Sequence, residues 1–452
     1  MLPRLSSLTN RTRTQEAVSQ FFSNYGMLLV LLLLCTYYAV VTLEEQNPRG
    51  ADAAEALLDD LTARVPAGST VLIATKANEE DRIFAAALAE GLRAAGYTPS
   101  GPVEGTPQDL RQALEAVAAQ ERSVAAIATT RDNAAIVRNL QRQIPSLTGA
   151  PVLTPAPYRW PTFLRADNIR NVANQIVVIA IIAVGMTMVI ITAGIDLSVG
   201  SLIALSAVVA AYLIQAMGGT EAGTGAMLLA SAAAILLCGL VGLFSGFVIT
   251  RFRVPPFIAT LGVMQIASGL AYIISEGKSI SAIPDGYVWL GRGADLFSLP
   301  NAVVLMILIY AGAHVLMTRT TLGRYIYAVG GNEEAARLSG IRVHAVLVFV
   351  YVVAGLLAGL GGIVQASQLK SGAPTYGLMY ELYVIAAVVI GGTSLFGGEG
   401  KILGTLIGAF IIAVIQNGMN LTGVESYTQK VVLGFVILGA VLLDMLKKRG
   451  LR

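Results

Sequence analysis

Two acids in this chain stand at the edges of long apolar runs. Asp196 closes the run that leads into VIITAGID, and Glu381 opens the run ELYVIAAVVI. A carboxylate inside hydrocarbon costs roughly 2.5–3.5 kcal/mol on insertion scales, so Asp196 must face polar partners, water or an interface. Around Asp196, the residues Gly194, Ser198, Gly200 and Ser201 mark broken helix ends that expose backbone dipoles. Two readings stay open there: a hinge or gate beside a solute path, and a break needed only for packing. The stretch from Ala386 to Gly408 repeats the idea, with Gly391, Gly392, Thr393 and Ser394, then Gly397, Gly398, Glu399 and Gly400. Both breaks follow a helix running the same way, which hints at two related halves.

Amides inside apolar runs are the second group. Gln175, Gln265, Gln365, Gln416, Asn417 and Asn420 can each donate and accept, as a path for a polar solute requires. Amides in such places also hydrogen-bond between helices. Other reactive residues are scattered. Cys35 and Cys238 lie in apolar runs, His314 and His344 are isolated, and neither a disulfide nor a metal pattern emerges. No cluster of His, Asp or Ser suits an interfacial enzyme. Gly277-Lys278-Ser279 resembles the end of a phosphate loop, but Tyr272 occupies the place of that loop's first glycine and the segment leaves an apolar helix. The chain is therefore expected to carry no cofactor and no ATP of its own.

The elements that must position these residues are membrane helices. The chain is 55% hydrophobic and 13% charged, against about 25% charged in soluble domains. A span needs about 20 apolar residues. One runs from Tyr25 to Leu43, reading as an uncleaved anchor. Others are expected near 174–194, 199–217, 226–250, 256–275, 300–317, 345–365, 380–396, 402–420 and 428–446, about ten in all. With the N-terminus inside, Arg251, Arg253, Arg319, Arg324, Arg337, Arg342 and Lys401 fall inside, as do Lys447, Lys448 and Arg449 at the C-terminus and Arg4, Arg11 and Arg13 before the first span. Only Lys278, Arg292, Lys370 and Lys430 fall in outer loops. The net charge of +3 gives no case for nucleic acid.

Residues 44–170 hold about half of the charged residues. Val71–Ala74, Val124–Ala128 and Pro151–Leu153 read as short strands. Ile83, Phe84, Ala87, Leu88, Gly91 and Leu92 share one helical face ended by Gly96-Tyr97. Further helices carry Leu110, Leu114 and Val117, and run over Ala134–Ile144. Strands alternating with helices imply a parallel sheet. The expected fold is thus an all-α polytopic membrane protein with an inserted extracytoplasmic α/β domain. Its parts are 1–43 (cytoplasmic N-terminus and first span), 44–165 (insert) and 166–452 (membrane core). In pattern, Val71–Tyr97 and Val124–Pro155 resemble one lobe of the periplasmic sugar-binding proteins. A single lobe lacks a closing cleft, so a docking or spacer role is the plainer reading.

From about Asn168 to Leu446 the chain resembles the permease family of ribose and simple-sugar ABC importers. The motifs are Gly185-Met186-Thr187 with VIITAGIDLSVGS (Val189–Ser201), VPPFIATLG (Val254–Gly262), TLGRYIYAVGGNEEAARLSGI (Thr321–Ile341) and AAVVIGGTSLFGGEGKILGTLIGAFI (Ala386–Ile411). The insert departs from that family. The resemblance implies a non-catalytic subunit that moves a monosaccharide or similar solute across a prokaryotic inner membrane. Its partners would be an ABC ATPase subunit that binds ATP, an extracytoplasmic solute-binding protein, a second permease and the bilayer. It also implies that Gly323, Arg324, Gly331, Asn332, Glu333, Glu334, Ala335, Ala336, Arg337 and Gly340 form the loop coupled to the ATPase. The residues agree with a short helix there. Asn332 can cap it, Glu333 and Glu334 suit its first turn, Ala335 and Ala336 keep it slim, and Gly340 can end it. The alternatives are an ion-gradient-driven secondary transporter, which needs a buried ionisable relay, and a membrane receptor using the insert as sensor, which needs a cytoplasmic output domain.

Overall fold

A computed structural model describes residues 26–119, 124–296 and 298–449. Arg4, Arg11 and Arg13 lie outside these. The chain forms two compact units, Leu43–Thr162 and the remainder.

The smaller unit contains β1 (Leu43–Gln46), α2 (Gly50–Arg64), β2 (Thr70–Thr75), α3 (Glu79–Ala94), β3 (Thr98–Glu104), α4 (Pro107–Ala119), β4 (Val124–Thr129), α5 (Arg131–Gln141), β5 (Val152–Leu153) and β6 (Tyr158–Pro161); the helix before it, α1, spans Gly26–Val41. A four-stranded parallel sheet has the order β3-β2-β4-β5. Side chains alternate across β2: Val71 and Ile73 pack with Leu57, Leu61, Phe84 and Leu88, while Leu72 and Ala74 pack with Leu110, Leu114 and Val137. That period of two makes the sheet the middle of three layers. Sequence reasoning missed α2 and β3. Helix α2 has mixed composition, and β3 (TPSGPVE) is too polar to read as a strand. Ile83, expected on the buried face of α3, is 49% exposed. An antiparallel ribbon, β1 with β6, closes the unit.

The larger unit contains α6 (Ala166–Ile191), α7 (Val199–Ala216), α8 (Thr224–Phe252), α9 (Pro256–Ile274), α10 (Trp289–Arg292), α11 (Asn301–Arg319), α12 (Thr321–Gly331), α13 (Glu333–Leu338), α14 (Val343–Leu369), α15 (Tyr380–Ile390), α16 (Ile402–Leu421) and α17 (Ser426–Arg449). Among the described residues, seven of these are long and apolar enough to cross a membrane: α6, α7, α8, α9, α11, α14 and α16. The apolar helices Gly26–Val41, Tyr380–Ile390 and Ser426–Leu442 are shorter. Helix α6 is the axis of the bundle, with 89% of its apolar window buried. Its neighbours meet it through small side chains and hydroxyls: Thr187 and Thr405 share a hydrogen bond of 2.7 Å, and Tyr310 donates to the Ala180 carbonyl over 2.9 Å. Helices α8 and α14 touch backbone to backbone. A Cβ at Gly242 would lie 2.3 Å from the Tyr351 carbonyl oxygen. Such close approach is how helices associate where lipid removes the hydrophobic drive between them.

One expected span needs correction. The run 380–396 is helical only over Tyr380–Ile390, 11 residues. Residues 370–379 precede it without regular structure, folded back against α7. A Cβ at Gly372 would meet the Ala207 carbonyl, and one at Gly377 would meet that of Gly200. Lys370 and Met379 have positive φ, so α14 stops and α15 starts by left-handed turns that no apolar count reveals.

Candidate functional site

The two breaks share one backbone design. Helix α6 ends with Ala193 N–H bonded to the Ile190 carbonyl (2.9 Å) and Gly194 N–H to that of Val189 (3.0 Å), with Ala193 at φ 59. Helix α15 ends with Gly392 N–H on Val389 (2.9 Å) and Thr393 N–H on Val388 (3.2 Å), with Gly392 at φ 88. Both are the paired-bond cap of a helix that stops in a left-handed residue. Beyond each cap a side chain accepts the N–H two residues on. Asp196 Oδ1 takes the Ser198 N–H at 2.9 Å and its hydroxyl at 2.6 Å; Ser394 Oγ takes the Phe396 N–H at 3.2 Å. These local bonds are alternatives to continuing a helix. Asp196 is buried, yet its carboxyl group has donors.

The breaks converge on a third element. Gly398 N–H donates to the Ile191 carbonyl over 2.8 Å. From α12, the Tyr327 hydroxyl donates to the Gly400 carbonyl over 2.8 Å. Gly330 packs so tightly that a Cβ there would lie 1.6 Å from Ile191 O. Thr260 of α9 holds the first break from the other side, accepting the Leu197 N–H (3.1 Å) and donating to Ile195 O (3.3 Å).

Helix α13 projects from this junction. The Asn332 side chain accepts the Ala335 N–H at 2.9 Å, and Arg337 pairs with Glu333 (3.0 Å) and Glu334 (3.5 Å). Gly340 at φ 84 ends the helix, with Ile341 N–H on Ala336 O. Ala336 is buried, whereas Arg324, Gly331, Ala335 and Gly340 are exposed and Leu338 is 81% exposed. Gly323 sits in the first turn of α12, where a Cβ would meet the Leu316 and Met317 carbonyls.

Four buried side-chain atoms among the described residues have no hydrogen-bond partner, and two of them sit at the breaks: Tyr351 Oη and Thr393 Oγ1. A Cβ at Gly194 would lie 2.6 Å from Tyr351 Oη, and one at Gly400 2.8 Å from Thr393 Oγ1. Each unpaired group costs about 1–3 kcal/mol.

The other site residues separate. Gly200, at the start of α7, faces the Glu381 carboxylate at the start of α15. Beside it Tyr380 donates to Gln365 Oε1 over 3.4 Å, its ring edge-on to Tyr383 at 6.3 Å, and Tyr376 hydrogen-bonds Ser371. Gln365, Tyr376, Tyr380, Glu381 and Tyr383 are all partly exposed. Sequence reasoning missed the tyrosines, although YGLMYELY places three of them around an acid. Asn417 exchanges two hydrogen bonds with Asn168 (3.0 and 2.8 Å), and Asn420 accepts from Gln429 (2.8 Å). These amides join helices. Gln175 and Gln265 are exposed and Gln416 is half-buried. Among the described residues no group of three or more His, Cys, Asp or Glu is placed to hold a metal.

Apolar helices interrupted at paired breaks, with a capped helix joined to both, define a multi-pass membrane protein. The chain belongs to the family described as branched-chain amino acid transport system permease components, which it matches over residues 168–441. It is 46% identical to the ribose import permease of Escherichia coli strain K12 over 292 residues, 64% of this chain and 88% of that protein. It is 45% identical to the ribose import permease of Bacillus subtilis strain 168, over 64% of this chain and 87% of the relative. It is 38% identical to the L-arabinose transport permease of E. coli K12, over 65% and 87%. No solved structure matches the chain. The chain is thus a transport subunit and not itself a catalyst.

Proposed function

We propose that this chain is the membrane path of an ATP-driven importer for a monosaccharide. The observation that carries the reading is the junction at which Gly330 and Tyr327 of α12 meet Ile191 and Gly400, one from each break. An ATPase bound to α13 would move both breaks at once. Relatives named for ribose and L-arabinose transport support a sugar as solute. So does the surface of tyrosines, Gln365 and Glu381 between the starts of α7 and α15, since hydroxyls of a sugar match groups that donate and accept. Helix starts that meet inside a bundle are typical of transporter binding sites.

In this reading about ten helices span the inner membrane, with both termini cytoplasmic by the basic-residue bias. The parts remain 1–43, 44–165 and 166–452, and the insert lies outside the cytoplasm. The partners are an ATPase, a solute-binding protein and a second permease copy or homologue. Alternating access is the mechanism. The unpaired Tyr351 and Thr393 hydroxyls bias the breaks toward a second arrangement that satisfies them. Co-expression with neighbouring genes, followed by sugar-stimulated ATP hydrolysis in lipid vesicles, tests it. Stimulation by one sugar supports the proposal; uptake that follows an ion gradient with no ATPase attached defeats it.

A further inference from the structure

The parallel sheet of the smaller unit changes direction at β2. The chain passes from β2 to β3 on one side of it, then crosses back to form β4 on the other. At such a point the loops beyond the carboxyl ends of the strands diverge and leave a crevice where ligands bind in α/β sheets. A cleft of about 300 Å³ lies there, lined among others by Lys76 after β2, Gly105 and Thr106 after β3, Leu110 of α4, and Asn133 and Ile136 of α5. The volume is at the lower end of small-molecule pockets, and mostly apolar walls with few polar groups are their usual make-up.

A second observation is independent of topology. Asn133 is fully buried, and its Oδ1 has no hydrogen-bond partner. Its orientation is set by its amide nitrogen, which donates to Thr129 Oγ1 (3.3 Å) and Ala74 O (3.4 Å), while the Thr129 hydroxyl donates to Ala74 O (2.6 Å). Turning the amide would aim an acceptor at a carbonyl. Oδ1 is therefore an acceptor in want of a donor, on a residue that lines the cleft. Thr75 Oγ1, one residue before Lys76, is another of the buried unpaired atoms.

We infer that this cleft binds a small polyhydroxylated molecule, separately from the membrane path. A fully deprotonated oxyanion only accepts, so it leaves Asn133 Oδ1 unpaired. A hydroxyl donates to Asn133 and accepts from the Lys76 ammonium. The C–H face of a sugar or polyol suits Leu110 and Ile136. The inference stands on the insert alone and holds whatever the larger unit carries.

The test uses the full chain in lipid nanodiscs, with D-ribose, L-arabinose, D-allose and inorganic phosphate as probes in hydrogen exchange and equilibrium dialysis. One sugar is expected to slow exchange at residues 75–78, 105–110 and 130–136. Asn133→Leu should weaken its binding about tenfold, the loss of one buried hydrogen bond, and Lys76→Met should also weaken it. Because Asn133→Leu can disturb the fold, the wild-type exchange map decides by itself. Protection confined to the larger unit overturns the insert site and leaves the transport reading intact. Phosphate protecting these segments where no sugar does, or no protection by any probe at 10 mM-scale excess (roughly the weak limit of a specific site), overturns it as well.

Discussion

The hydroxyl of Tyr327 donates to the carbonyl oxygen of Gly400 over 2.8 Å, tying the projecting α12–α13 element to the second break. Tyr327→Phe keeps the ring and removes only this bond, a net loss of about 1 kcal/mol. Sugar uptake should fall several-fold while ATP hydrolysis by the assembled transporter persists. Measuring the two rates on one preparation checks it; a parallel fall in both would mean that the bond serves only assembly.

Gly330 and Gly331 are neighbours with opposite surroundings. A Cβ at Gly330 would lie 1.6 Å from Ile191 O, whereas nothing lies within 4 Å of one at Gly331. Gly330→Ala should destabilise the junction by about 1–3 kcal/mol and abolish uptake. Gly331→Ala should transport like the parent. Equal effects of the two would show that the close approach has no role.

The ion pairs of Arg337 with Glu333 and Glu334 are exposed at the surface, where such pairs contribute about 0–1 kcal/mol. Replacing all three with Ala should leave the melting temperature of the purified chain nearly unchanged. The same variant should no longer retain the ATPase on co-purification, and hydrolysis should uncouple from uptake. Leu338→Asp should do likewise.

Asn417 and Glu381 separate packing from transport. Asn417→Ala leaves the Asn168 amide without its reciprocal partner, so stability should drop by about 1–3 kcal/mol with the substrate profile unchanged. Glu381→Gln should keep stability and raise the sugar concentration for half-maximal uptake. Thermal unfolding and uptake titrations distinguish them.

Within the smaller unit, Asp109 and Thr106 cap α4 reciprocally. The Thr106 hydroxyl donates to Asp109 Oδ2 at 2.7 Å, as does the Thr106 N–H at 2.8 Å. These bonds, the hydroxyl's first, hold the Asp109 carboxyl below its ordinary 3.8. The folded value is depressed, so the capping contribution is complete above the unfolded value and fades as pH falls through the folded one. Amide exchange in the first turn of α4 should quicken below about pH 3.8. Thr106→Ala should shrink this pH dependence, because the hydroxyl bond that holds the carboxyl down is gone.

Much of the site was legible in residue types. Long apolar runs can only be membrane helices, because each backbone polar group must be satisfied within the segment. Asp196 and the paired glycines announced the breaks, and the order Asn332, Glu333, Glu334, Gly340 carried a cap, a dipole match and a stop in one short stretch. These are local effects, decided within a few residues along the chain.

What only the tertiary structure decided is who meets whom. The run 380–396 looks like one span by composition. Its helix stops at Ile390 because the Gly391–Gly400 segment finds better partners in Ile191 and Tyr327, far away in sequence. Amides alike in sequence part company for the same reason: Asn417 is consumed by Asn168, while Gln365 borders a surface of tyrosines. The vacant acceptor of Asn133 depends on a carbonyl and a hydroxyl from two different strands. Pairing across long stretches of chain depends on three-dimensional packing, and no local propensity encodes it.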